Sequence, residues 1–166
     1  MYRLLVERRV RRVFAQLGAG DYRSSVAQFP PRLYHHFPGA HALGGTRHTP
    51  AAMGRWFARL FAIFPDLHFE IRAVFIRGWP WHTIAAIEWT DRAILPDGSP
   101  YENDGVHIMH LRWGRVVSIR PYLDTQAVAD ACARAAQAGV AEGLATPIAD
   151  NPALPVAPSG ATLAAR

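Results

Sequence analysis

The hydrophobic period changes at Leu67, and that change limits what this chain can fold into. Before it, Leu5, Val6, Val10, Val13, Phe14 and Leu17 form a stripe at helical spacing over residues 3–19, stopped by Gly18-Ala19-Gly20. Asp21 reads as the cap of a short second helix, "YRSSVAQF", ended by Pro30-Pro31. "RLYHHFPGAHALGG" reads as a short strand and a glycine-rich loop. Thr49-Pro50 is a strong helix start, and Met53, Trp56, Phe57, Leu60, Ile63 and Phe64 form the buried side of that third helix. After Leu67, four segments of period two follow: "LHFEIRAVFIRG", "HTIAAIEWTDRAIL", "YENDGVHIMHLRW" and "RVVSIRPYLD". A last helix spans about Thr125 to Gly139, with Asp124 as its cap. Helices followed by a run of strands give an α+β fold with a strongly curved antiparallel sheet. Residues 1–144 read as one domain, and the proline-rich residues 145–166 as a flexible tail.

The net charge is +5, and all 18 basic residues are arginines scattered among aromatic and aliphatic residues. The cluster Arg8, Arg9, Arg11 and Arg12 reads as the solvated face of the first helix, so no nucleic-acid partner is expected. Cys132 is the only cysteine, which excludes an internal disulfide and fits a reducing, cytoplasmic setting. No segment approaches the ~20 apolar residues of a membrane span, and no membrane partner is expected. Neither HExxH nor a cysteine pair occurs, and His35-His36 point to opposite faces of a strand, so no metal site is expected.

The strand-loop "YHHFPG", "GGTR" ahead of the third helix, "FPDLHFEI", the hairpin "LPDGSPYENDGVH" and "WGRVV…YLDTQ" occur in an order that resembles the SnoaL-like branch of the nuclear-transport-factor-2-like superfamily. The resemblance runs from about Val10 to Leu144. It implies a cone: a curved antiparallel sheet wrapped around three N-terminal helices, with a C-terminal helix. It also implies a homodimer, no cofactor, and a hydrophobic small-molecule ligand. Relatives include polyketide cyclases, ketosteroid isomerases, limonene epoxide hydrolases and non-catalytic binding proteins, so the fold does not fix the chemistry.

In the cyclase template a carboxylate sits on the last strand, three residues before the aspartate of "YLD". Here that residue is Pro121, which cannot move a proton. A partner histidine is present as His107. In the epoxide-hydrolase template the water-holding positions fall on Tyr34 and His36, and the Arg and Asp positions on Glu88 and Thr90. Alternate strand residues share a face, which puts Glu88, Thr90 and Arg92 on one side and Ile87, Trp89 and Asp91 on the other. The reading that follows the family takes Glu88 as base, His107 as partner or oxyanion donor, and Tyr34 and His36 as positioning donors. Trp56, Leu60, Thr90, Met109 and Ile119 then line the pocket. The expected function is cofactor-independent proton transfer (cyclisation, isomerisation or dehydration) on a hydrophobic carbonyl compound, as in secondary metabolism. The other reading is a binding module of the same fold, in which Pro121 marks lost chemistry. It needs only shape and a few fixed polar contacts.

Overall fold

The computed structural model describes residues 1–150. Helices α1 (Tyr2–Gly18) and α2 (Tyr22–Val26) precede two short strands, β1 (Tyr34–Phe37) and β2 (Gly45–Arg47), and helix α3 (Pro50–Ile63) follows them. Four long strands follow: β3 (His68–Trp79), β4 (His82–Ile94), β5 (Pro100–Arg112) and β6 (Arg115–Leu123). Helix α4 (Thr125–Gln137) and a 3₁₀ turn at Ala141–Leu144 complete the described chain. No helix among the described residues is long and apolar enough to cross a membrane.

Local chemistry explains the helix starts. The Thr49 side chain accepts from the Ala52 amide, with Pro50 in the first turn. Asp124 accepts from the amides of Gln126 and Ala127 to open α4. The predicted apolar stripe of α3 is buried as a whole.

The sheet order is β2-β1-β6-β5-β4-β3. All neighbours are antiparallel except β1 and β6, which run parallel through Tyr34–Ser118 and His35–Ile119. The expected all-antiparallel sheet is therefore mixed. The return of β1 beside β6, across the whole length of the other elements, is a long-range pairing that no local pattern announces. Strand β3 carries a bulge between Ile71 and Ala73. The extra residue keeps Phe69 and Ile71 on the same face as Val74 and Ile76 and bends the strand.

Residues paired across a ladder share a face. The inner face of β4 carries Ala85, Ile87, Trp89, Asp91 and Ala93, opposite Met109, His107, Gly105, Asn103 and Tyr101 of β5. Helices α1 and α3 cover that face. One apolar cluster joins Val6, Val10 and Phe14 to Ile87 and Trp89. A second joins α3 and α4 to Leu95 and Tyr101.

The domain extends past the expected boundary at 144. Arg47 donates to the Ile148 carbonyl at 2.9 Å, and Asp150 accepts from the amides of His48 and Thr49. The first six residues of the expected tail are thus held to the body, while 151–166 lie outside the described residues.

Candidate active site

A cavity of about 130 Å³ lies between the inner sheet face and helices α1, α2 and α3. Cavities of about 150 Å³ admit a single benzene-sized ring, which sets the scale of a ligand that enters without rearrangement. The wall is mostly aromatic and aliphatic, and includes Trp56, Leu60, Met109 and Ile119 as the sequence leads one to expect. The residues with polar chemistry that also line it are Arg9, Ser25 and Gln28 from the helical side and His35, Asp91, Tyr101 and His107 from the sheet.

Glu88 is not among them. It pairs with Val106 on the outer face and is exposed. The expectation that it faces the cone is corrected by one residue: Ala85, Ile87, Trp89 and Ala93 take the inside because they are the apolar set, and Asp91 goes with them. Thr90 is also outside the cavity. It is buried beneath Arg72, which donates to its hydroxyl at 2.6 Å, and it donates in turn to Asp104. Tyr34 and His36 face outward as well. The Arg120 guanidinium lies 5.8 Å from the Tyr34 ring, and His36 Nδ1 meets the Thr46 hydroxyl at 2.9 Å. The alternation of β1 instead gives His35 and Phe37 to the cavity. Of the four expected catalytic residues, only His107 lines it.

Asp91 is 6% exposed, and its Oδ1 has no hydrogen-bond partner among the described residues. Burial pushes its carboxyl up to about 7, against the opposing pull of the Asp91 and Asn103 backbone amides. Asp91 therefore exchanges a proton near neutral pH, as a general acid or base requires. Its neighbours on the ladder are Phe69 and Asn103. Asn103 donates to the Tyr101 hydroxyl at 3.1 Å and bonds both backbone groups of Asp124. That clamps the corner between β6 and α4 and leaves the Tyr101 proton free to donate.

His107 is held by Trp89, whose indole Nε1–H donates to Nδ1 at 2.6 Å. Nδ1 must then be the unprotonated nitrogen, and Nε2 carries the hydrogen. Burial lowers the His107 pKa to about 3, so the ring stays neutral throughout the ordinary pH range. His35 repeats the device. Arg47 Nε donates to its Nδ1 at 3.0 Å. Burial, the Arg47 charge and the nearby His107 together hold its pKa well below the usual value. Two neutral imidazoles thus present fixed Nε2–H donors.

Gly105 makes the Trp89–His107 contact possible. It sits opposite Trp89 on β5, and a Cβ there would lie 2.5 Å from the indole ring and 2.9 Å from the Tyr122 carbonyl. We expect Gly105→Ala to displace the indole and to lower stability by about 1–3 kcal/mol, or roughly 2–12 °C in Tm. Thermal melting measures the loss, and imidazole ¹⁵N shifts measure the fate of the tautomer. An unchanged Tm with an unchanged tautomer would contradict this role.

Pro121 lies on the inner face, directly across from His107. As a proline it offers no amide donor to the β5–β6 ladder, which continues through it to Leu123. It replaces a polar neighbour of His107 by an apolar ring.

The family described as SnoaL-like domain matches residues 10–119. No curated protein matches the sequence. Similar solved structures include a nuclear-transport-factor-2-like protein of unknown function from Burkholderia pseudomallei K96243, at 18% identity and TM-score 0.63, covering 73% of this chain and 92% of that one. A proposed SnoaL-like polyketide cyclase from Jannaschia sp. CCS1 matches at 20% identity and TM-score 0.59, covering 76% and 90%. TerC, co-crystallised with polyporic acid, matches at 17% identity and TM-score 0.61, covering 75% and 95%. At such identities the likeness establishes the fold.

Proposed function

Because the chain belongs to the SnoaL-like domain family, we propose that it is a cofactor-independent enzyme that moves a proton next to a carbonyl in a small apolar compound. Asp91 is the base and His107 the oxyanion donor. The observation that carries this reading is a buried carboxyl with a pKa near 7 and a free oxygen, facing the same cavity as a neutral Nε2–H.

Asp91 and His107 line the same cavity, with Trp89 between them on the ladder and its indole bonded to His107. Asp91 takes the proton, negative charge collects on the oxygen, and His107 Nε2–H meets it without having to become charged. Return of the proton to another carbon gives isomerisation. Attack of the enolate on a second carbonyl in the same molecule gives cyclisation.

The test is exchange. Single-ring ketones incubated with the protein in D₂O should lose their α-proton signals faster than in buffer, and Asp91→Asn should abolish the gain. Exchange at the buffer rate across the panel, or exchange unaffected by Asp91→Asn, would overturn the reading. The mostly apolar wall and Pro121 beside His107 favour a second reading, a binding module that holds its ligand unchanged. Saturable ligand binding without exchange would support it.

A pairing of two copies through the outer sheet face is also proposed. Phe75, Ala86 and Ile108 lie there in one row, and Phe75 is 66% exposed. Equilibrium sedimentation at the mass of one chain would contradict it.

A further inference from the structure

Three tryptophans are exposed at one end of the molecule. Trp79 and Trp81 bracket the β3–β4 turn, and Trp113 opens the β5–β6 turn. They are 65%, 56% and 73% exposed. Large indoles are seldom left in water without a purpose when they are contiguous. These are contiguous: Trp79 and Trp81 stack at 5.9 Å with their planes 7° apart, and Trp81 lies 6.3 Å from Trp113. The backbone holds them in place. The Trp113 amide donates to the Pro80 carbonyl, which joins the two turns. Trp113 itself has φ 51, a left-handed conformation that is costly for a residue with a Cβ.

The start of α1 reaches the same end. The Tyr2 hydroxyl meets the Thr83 hydroxyl at 2.6 Å, which brings the exposed Met1, Leu4 and Leu5 to the level of these turns.

The charges at this end are mostly basic. Arg112 and Arg115 flank Trp113, and α1 adds Arg3, Arg8, Arg9 and Arg12. Glu7 is the only acid on α1, and Arg11 pairs with it. The opposite end of the sheet is mixed: Glu70 and Glu102 pair with Arg92, Asp97 pairs with Arg134, and Asp66 adds a further acid. Indoles that share a surface with arginines match the interface of a membrane with anionic lipids, where aromatic rings settle at headgroup level and basic side chains meet phosphate.

We propose that this end of the protein docks on an anionic phospholipid surface, with Trp79, Trp81 and Trp113 inserted and the arginines at the headgroups. No spanning segment is needed for such binding. The expectation of no membrane partner rested on the absence of a span and does not bear on it. Arg9 and Gln28, the exposed residues of the cavity wall, bond to each other at 3.0 Å close to Gly114. The cavity therefore opens beside the docking surface, and an apolar ligand could pass between bilayer and cavity. That passage rests on the ligand-binding reading above; docking does not, and it is measured without any ligand.

The experiment uses the full chain with vesicles of phosphatidylcholine alone or with an equal share of phosphatidylglycerol, by co-sedimentation and tryptophan emission. Binding at least ~10-fold tighter to the anionic vesicles, a blue shift, and weakening at high salt are expected. The variant with serine at 79, 81 and 113 should lose most of the binding and the shift. Arg112→Glu with Arg115→Glu should lose the preference for anionic lipid, while unchanged circular dichroism shows both variants folded. No binding to either vesicle, or equal binding by the serine variant, would overturn the proposal. Two other outcomes would also overturn it: tight binding of a single-stranded oligonucleotide without vesicle binding, or a dimer that the serine variant alone breaks.

Discussion

At pH 8 the Asp91→Asn variant is expected to melt at a higher temperature than the wild type and to turn over its substrate at least ~10²-fold more slowly. The two effects have one cause. The folded protein holds the Asp91 pKa at about 7, against 3.8 for the ordinary group. Below pH 3.8 the carboxyl is neutral in both folded and unfolded chains and costs nothing. As pH rises through the window to about 7, the unfolded chain ionises first, and stability is lost progressively. Above the folded pKa the loss is complete, at roughly 4 kcal/mol as an upper limit. Asparagine carries no charge, so it avoids this loss. The two melting curves should converge as pH falls toward 4 and separate as it rises. A site that keeps a buried carboxyl with one unpaired oxygen in an apolar wall gives up stability for function. If the wild type is the more stable at pH 8, burial of Asp91 is not the penalty described. As a base, Asp91 should also make turnover rise with pH and level off above about 7. Glu88→Gln, on the outer face, should leave turnover unchanged.

Arg47→Ala should be the most destabilising single substitution near the site. Arg47 is fully buried, and its guanidinium donates to His35 Nδ1 and to the carbonyls of Gly44, Gly45 and Ile148. Burial lowers its pKa to about 10, which still leaves it charged at neutral pH. It lies 5.4 Å from the Trp56 ring. Its removal orphans three carbonyls and an imidazole nitrogen together. The expected loss is about 3–5 kcal/mol, or roughly 6–20 °C in Tm. Arg47→Lys should recover only part, because an ammonium lacks the planar fork that serves four acceptors. His35 should at the same time lose its fixed tautomer, visible in its ¹⁵N shifts. A loss below about 1 kcal/mol would mean that water replaces the guanidinium.

The fold was legible because its signals are local and repeated. The α3 stripe and the Thr49 and Asp124 caps each follow from neighbouring residues. The site was less so, for a reason of parity. A strand offers two faces, and the family templates drew attention to Glu88 and Thr90. The apolar set Ala85, Ile87, Trp89 and Ala93 in the same strand was the better guide, and it carries Asp91 inward. Tyr34 and His36 failed in the same way, since the inward residues of β1 are His35 and Phe37. The parallel pairing of β1 with β6 and the anchoring of Arg47 to Ile148 join distant parts of the chain, and no sequence period encodes them. Gly105 was a visible clue: a glycine inside a long strand marks a close approach, and here the approaching group is Trp89.

That Asp91 is the titrating group of this cavity can be measured before any substrate is known. Carboxyl ¹³C shifts of the protein labelled at aspartate, assigned through Asp91→Asn, should show one group titrating near pH 7. A value below about 4.5 for Asp91 would mean an ordinary, solvated carboxylate. The proton-transfer site argued from its burial would then be wrong.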